Sequence, residues 1–274
     1  MTTATLWRCS NQEYHAETEH VSNSALKVFM QNPKVYHDIY VARTRERKPP
    51  SKEMILGSLF HALVLEGEVG WKVWSGADRR TKAGKEAWDN FAVQSLGYQV
   101  LTQEENDTLF AMHDSLWKND HAAELLNAEG DNETSMQWTH PSGVKLKCRW
   151  DRLCHNGTQV DIKTVSDPSP EFFAKSVDKF RYDVQAAFYS QGLESLAEFR
   201  DTPFRFIAVC TEWPHECYVY RLPDDALQIG HETVNRELAD LARRHRENDW
   251  VDPYMRGVNE VYLPAWFYSQ KGLR

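Results

Sequence analysis

Apolar and polar positions change their spacing near the middle of the chain, and the change divides it. "VSNSALKVFMQNPKVYHDIYVAR" (21–43) predicts helix on both sides of Pro33, with Ser22 or Ser24 as the N-cap. "KEMILGSLFHALVLE" (52–66) predicts a strongly apolar helix that carries His61 on its inner stretch. Segment 82–96 is amphipathic, and Thr102 with Glu105 has capping-box spacing at the head of a helix reaching about residue 128. From about 131 the pattern turns to β: "ETSMQWTH", "VKLKCRWDRLC" and "TQVDIKTV" predict strands, separated by the turn signals Pro141-Ser142-Gly143 and Asn156-Gly157. "SPEFFAKSVDKF" and "YDVQAAFYSQGLESLAEF" predict helices, "RFIAVCTEW" and "ECYVYRLP" two more strands, and "DDALQIGHETVNRELADLARRHRE" a long amphipathic helix. With no repeat and no linker, this order predicts a single α/β domain over 1–274. Its 1–130 part is mainly helical, and 131–274 supplies the sheet and flanking helices.

Composition narrows the class. At 274 residues, 41% of them hydrophobic and ten of them Trp, the chain can bury a substantial core. It has no apolar run long enough for a membrane helix, and its start lacks the basic and apolar regions of a signal peptide, so a cytoplasmic protein without a membrane partner is expected. Cys9, Cys148, Cys154, Cys210 and Cys217 are odd in number and show no C-x-x-C spacing, which reads as reduced thiols without zinc. A net charge of −8 argues against non-specific coating of nucleic acid, which is driven by Lys and Arg displacing counterions. Local basic segments remain at 42–52, 78–88 and 242–248, and the plain reading of each is a solvated loop or helix face.

The chemistry concentrates in "RWDRLCHNGTQVDIKT" (149–164). An isolated buried carboxylate is costly, so Asp151 and Asp161 in an apolar hairpin call for a cation, a hydrogen-bond network or a proton. Asn-Gly favours a two-residue type I′ loop, which pairs 152 with 161 and sends the two acids to opposite faces. A three-residue loop, 155–157, with Gly157 left-handed pairs 151 with 161 and makes the acids face each other. Period-two alternation puts Lys163 on the face of Asp161. Two carboxylates with an adjacent lysine suit phosphodiester hydrolysis: a hard cation takes oxygen ligands, and the ammonium orients or deprotonates water or stabilises charge on the phosphate. The plain alternative pairs Asp151 with Arg149 or Arg152, and Asp161 with Lys163, on an exposed hairpin face.

"D151…D161-I-K163" behind a glycine-marked turn, followed by Gln185 and Tyr189 in Q-x-x-x-Y spacing, resembles the PD-(D/E)XK nuclease superfamily and its RecB-like branch. "GSLFHALVLE" looks like that branch's helix bearing a metal-binding histidine, here His61. "VSNSALKVFMQNPKVYH" and "DRRTKAGKEAW" look like segments that mark exonuclease VIII, the RecE-type recombination exonucleases. The resemblance spans roughly 20–195 and implies a restriction-endonuclease-like core, a mixed central sheet flanked by helices. It also implies a 5′-to-3′ exodeoxyribonuclease of recombination or repair, of phage or prophage type. Such an enzyme acts with Mg²⁺, or Mn²⁺ in its place, on the ends of linear double-stranded DNA, leaving a 3′ overhang for a single-strand annealing protein, and forms a ring-shaped homo-oligomer. Carried over by position, His61, Asp151, Asp161 and the main-chain carbonyl of Ile162 hold metal, and Lys163 serves the attacking water. Many superfamily members have Glu where Asp161 stands.

Gln185 and Tyr189, one turn apart, share a helix face and are expected either to contact substrate or support the ligands, or to pack in the core. Arg79, Arg80, Lys82 and Lys85 are candidates for DNA phosphate, joined by Ser22 and Ser24 at a helix N-terminus, where capping is the simpler role. The acidic net charge then predicts basic segments lining an inner channel. Competing expectations are an endonuclease or Cas4-like nuclease, the latter disfavoured by the missing cysteine cluster, and a non-catalytic DNA-binding module.

Overall fold

A computed structural model describes residues 4–76, 78–196, 198–263 and 267–268. The first half runs β1 (Thr5–Trp7), α1 (Asn11–Ala16), β2 (Val21–Ser22), α2 (Asn23–Gln31) and α3 (Pro33–Tyr36), continued by a π-helical turn (His37–Val41). Then come α4 (Lys52–Leu65), β3 (Trp71–Trp74), α5 (Lys82–Gln94), β4 (Gln99–Thr102), α6 (Gln103–Lys118) and α7 (Asp120–Asn127). The second half runs β5 (Gly130–Thr139), β6 (Lys145–Cys154), β7 (Gln159–Val165), α8 (Pro170–Phe180), α9 (Tyr182–Glu194), β8 (Phe204–Cys210), β9 (Cys217–Tyr220) and α10 (Asp224–Glu247).

Caps place the helices where the sequence asks for them. Ser22 Oγ accepts from Ala25 N at the head of α2, and Thr102 with Glu105 closes a reciprocal capping box on α6. The helix expected to reach about 128 is interrupted at Asn119, whose side chain accepts from Ala122 N and so starts α7 afresh. The 1–130 part is mainly helical, and it also carries four short strands that the pattern does not predict. β1 pairs antiparallel with β5, β2 runs parallel to β6, and β3 pairs with β4 in a separate two-stranded sheet. Strands of two to four residues are too short to display a period, and they are held by neighbours distant in sequence.

The central sheet is mixed, in the order β1-β5-β6-β7-β8-β9 with β2 attached to β6. β7 and β8 are parallel over seven residue pairs, joined by the α8–α9 crossover. One core cluster gathers Leu26, Phe29, Trp150, Phe188 and Leu238 from α2, β6, α9 and α10. Another gathers Phe60, Leu109, Leu116, Ile162 and Ile207 from α4, α6, β7 and β8. Helices thus cover both faces. Among the described residues no helix is long and apolar enough to cross a membrane, and all five cysteines are free thiols.

The β6–β7 turn takes the three-residue form. Arg152 pairs with Val160 and Leu153 with Gln159, while Cys154 N donates to Thr158 O at 2.9 Å and Gly157 N to Cys154 O at 2.9 Å. Gly157 has φ +84°, and a Cβ there would come within 2.9 Å of both Phe199 and Thr202 side chains. Gly157→Ala is therefore expected to lower stability by about 1–3 kcal/mol, from the positive φ alone and before repacking, as measured by urea unfolding. Unchanged stability would mean that this turn does not fix the register.

Candidate active site

Pairing of β6 with β7 is confined to the turn. The hairpin ladder ends at Arg152↔Val160, and the two strands part immediately beyond it. On the other side of β6, the ladder with β5 omits the Glu133↔Asp151 pair, although its neighbours Asn132↔Arg152 and Thr134↔Trp150 are present. Glu133 sits at φ 53°, a strained setting for a residue with a side chain. Along β6, Trp150 and Leu153, three apart, join one core cluster, so strict alternation breaks between them. The break releases Asp151 from an ordinary cross-strand position. Its Oδ2 reaches into the gap and accepts from Ile162 N at 2.6 Å. Because a strand residue's N–H and C=O point the same way, the Ile162 carbonyl faces this gap as well.

Four further side chains converge here. His61, on α4, brings Nδ1 to 3.3 Å from Asp151 Oδ1. Gly57, one turn before it, lets α4 lie close to β7: a Cβ there would be 3.2 Å from Thr164 Oγ1. Asp161, 4% exposed, has Oδ2 2.6 Å from Lys163 Nζ. From α9, Gln185 donates Nε2 to Asp161 Oδ1 at 2.6 Å and accepts from Lys163 Nζ at 3.1 Å. The amide thus fixes the carboxylate and the ammonium together. A buried network secures the frame beneath: Trp150 Nε1 donates to Gln159 Oε1 at 2.7 Å, and Gln159 Nε2 donates to Ser190 Oγ and Thr202 Oγ1, each at 3.0 Å.

The charges follow from these contacts. Burial works against the imidazolium of His61, but the Asp151 carboxylate outweighs it and lifts the group to about 9. Burial likewise opposes ionised Asp151, yet His61, Lys163 and the Ile162 N–H together hold it below the usual carboxylate range. For Asp161 burial prevails, reinforced by Asp151, and the carboxyl is pushed up despite Lys163. Lys163 is raised, because Asp161 foremost, with Tyr182 and Asp151, overcomes its burial. Glu133 is raised by burial and by the Asp151 charge, while Arg149 pairs with it.

His61 supplies a pH test. A raised basic group stabilises the fold fully below its unfolded pKa of 6.5, and that contribution is lost as pH rises through about 9. In chelator, the unfolding free energy is expected to fall by the order of 1–3 kcal/mol between pH 6.5 and 9.5, and His61→Gln to flatten that slope. Parallel profiles for the two proteins would show that the pair is not ionised as described.

The site matches the sequence reading in part. His61, Asp151, Asp161, Lys163, Gln185 and the Ile162 backbone come together. Tyr189 makes no hydrogen bond with them among the described residues: its half-buried ring lies edge-on to Trp150 at 5.9 Å and to Phe204 at 6.2 Å. The plain hairpin pairing holds only for Asp161 and Lys163. Arg149 binds Glu133, and Arg152 binds Asn132 Oδ1 and the Ala128 carbonyl. Arg79, Arg80, Lys82 and Lys85 lie at the exposed head of α5, where Arg80 pairs with Asp78 and Arg79 stacks on Trp88 at 4.3 Å. Among the described residues they make no contact with the site. Ser22 caps α2, and Ser24 Oγ lies 2.9 Å from Ser22 Oγ. From segment 42–52, Arg43, Arg45 and Arg47 line a cleft of about 830 Å³ with Tyr40 and Lys147, whose wall also holds Glu17, Glu19 and Glu46. Lys147 and Asp151 lie on the same strand, β6. Glu133 escaped the sequence reading, since "DNETSM" looks like any polar strand opening.

As arranged, His61 is paired with Asp151 and Lys163 with Asp161, and among the described residues no three acids, histidines or cysteines are grouped to hold a metal. The donor chemistry nevertheless fits a hard cation. Two carboxylates, an imidazole and a strand carbonyl border one gap, and the buried Oδ2 of Asp161 meets only the Lys163 ammonium, at 2.6 Å and without hydrogen-bond alignment.

Residues 22–253 match the model of a family described as a PDDEXK-like domain of unknown function (DUF3799). No curated protein matches the chain. The crystal structure of a protein provisionally named an exonuclease, from Eubacterium rectale, is similar in fold, with a TM-score of 0.65 and 14% identity, covering 96% of this chain and 98% of that one. The mixed sheet flanked by helices is a restriction-endonuclease-like fold.

Proposed function

Because the chain belongs to the PDDEXK-like family DUF3799, a nuclease-superfamily domain, we propose that it is a metal-dependent exodeoxyribonuclease that resects one strand of linear double-stranded DNA from the 5′ end. The observation that carries this reading is the gap between β6 and β7, where Asp151, Asp161, His61 and the Ile162 carbonyl border one space beside Lys163. These four groups would hold Mg²⁺, or Mn²⁺ in its place. The ion, when bound, supplies positive charge to the phosphate and makes water a stronger nucleophile at neutral pH.

The chain's own residues do the rest. Lys163, raised and held by Gln185, stays protonated near neutrality, so it orients water and stabilises negative charge rather than removing a proton. Gln185 keeps Asp161 and Lys163 in register, which makes it a positioning residue. The exonuclease VIII-like segments at 21–37 and 78–88 favour a free DNA end as substrate and a 3′ overhang as product, passed to a single-strand annealing protein. A ring of chains would put the cleft lined by Arg43, Arg45 and Arg47 toward the duplex and leave acidic surface outside.

Linear and covalently closed duplexes incubated with Mg²⁺ or with chelator separate the readings. The expected result is Mg²⁺-dependent loss of linear DNA only, with single nucleotides or short 5′ products. Cutting of the closed circle would replace the exonuclease by an endonuclease. Binding of DNA without metal-dependent loss would make the chain a binding module.

A further inference from the structure

A second lysine borders the site. Lys27 lies on α2, five residues beyond the cap Ser22, and its Nζ stands over the Tyr182 ring at 5.7 Å. The same ring carries Lys163 Nζ at 4.7 Å. Lys27 has no hydrogen bond and no ion pair among the described residues. Burial, helped by repulsion from Lys163, pushes it down to about 8, against the attraction of Asp161 and Asp183. Both acids are already engaged, Asp161 with Lys163 and Asp183 with Arg181. One turn earlier on the same helix face, Asn23 is 7% exposed and its Oδ1 has no partner. An amide can be turned either way, so one polar end is unsatisfied in either case.

A largely buried ammonium normally has an anion. Two ammoniums sharing one aromatic ring, each disfavouring the other's charge, call for one that both can approach. The nearest chemistry of that kind is the phosphate of the strand that Asp161 and Lys163 would engage. Resting on the nuclease reading of the site, we propose that Lys27 is a further, substrate-facing catalytic cation. Its ammonium takes a non-bridging phosphate oxygen of the bound strand, Tyr182 positions it beside Lys163, and the Asn23 amide adds a hydrogen bond. A compact charge on a flexible stem suits a single-point contact of this sort.

Lys27→Met keeps the length of the side chain and removes the charge, and Lys27→Arg keeps the charge. Two measurements are made on each, with wild type alongside. The first is kcat and KM on a linear duplex in Mg²⁺. The second is affinity for the same duplex in chelator, by anisotropy, over a series of salt concentrations. Lys27→Met is expected to lose about 10- to 100-fold in kcat/KM, as for one hydrogen bond to a charged group. Its slope of log affinity against log salt is expected to be smaller by about one, as for one lost phosphate contact. Lys27→Arg is expected to recover most of both, and thermal stability of Lys27→Met to equal or exceed that of wild type. A structural role would leave the salt slope unchanged. An unchanged slope, or kcat/KM within twofold of wild type, overturns the role of Lys27 while leaving the nuclease intact. If wild type fails to cleave, the nuclease reading fails, and the contact proposed on it falls with it.

Discussion

Asp161→Asn is expected to reduce hydrolysis of linear duplex by about 10³-fold or more while leaving DNA binding within a few-fold of wild type. The substitution changes one atom. Asn can still accept the Gln185 Nε2 bond, so the hairpin and α9 remain joined. The charge that Lys163 faces, and that a cation would need, is removed. Stability gives a second expectation. A carboxyl whose pKa is raised in the folded state costs stability above its unfolded pKa, so neutralising Asp161 relieves that cost while depriving Lys163 of its counter-ion. The two changes oppose each other, and in chelator the melting temperature should move by only a few degrees. A large loss of stability would mean that Asp161 is chiefly a structural anchor, and retained cleavage would remove it from the reaction.

Lys163→Met is expected to lower hydrolysis by about 10²- to 10³-fold, with DNA and Mn²⁺ binding retained. Removing the ammonium leaves Asp161 buried beside Asp151 with one counter-charge fewer, and breaking a buried pair costs about 3–5 kcal/mol. Protonation of Asp161, already favoured by burial, brings the expected loss in chelator toward the lower end. Saturating Mn²⁺ should restore most of it, because the ion would supply the missing positive charge. Thermal unfolding with and without Mn²⁺ measures this directly. A loss that Mn²⁺ does not repair would assign Lys163 to the framework alone.

How legible the site was depended on how local each signal is. The turn could be read because Asn156-Gly157 and the alternation on either side leave two registers, and only the three-residue loop over 155–157 brings 151 opposite 161. Lys163 followed from a period of two. His61 could be reached only by resemblance, since a histidine in "GSLFHALVLE" looks like a core residue until α4 is laid across β6 and β7. The break in alternation between Trp150 and Leu153 was not legible at all: it lies opposite Glu133, which adopts φ 53° on a different strand. Tyr189 stays open between the site and the core in the sequence, because a shared helix face with Gln185 does not say how far the longer side chain reaches; in the fold its ring lies edge-on to Trp150 and Phe204. Lys27 went unremarked because "SALKVF" places it among ordinary helix residues, and its missing partner appears only when Tyr182 is seen to carry two cations.

Calorimetric titration of Mn²⁺ into wild type, Asp151→Asn and Asp161→Asn bears most directly on the gap between β6 and β7 as a joint cation site. Asp131→Asn, an exposed acid paired with Arg8, serves as the control. Wild type and the control should bind with the same affinity, and either substitution in the gap should weaken binding at least tenfold. Equal affinity in all four proteins would contradict the claim that Asp151 and Asp161 hold the ion together.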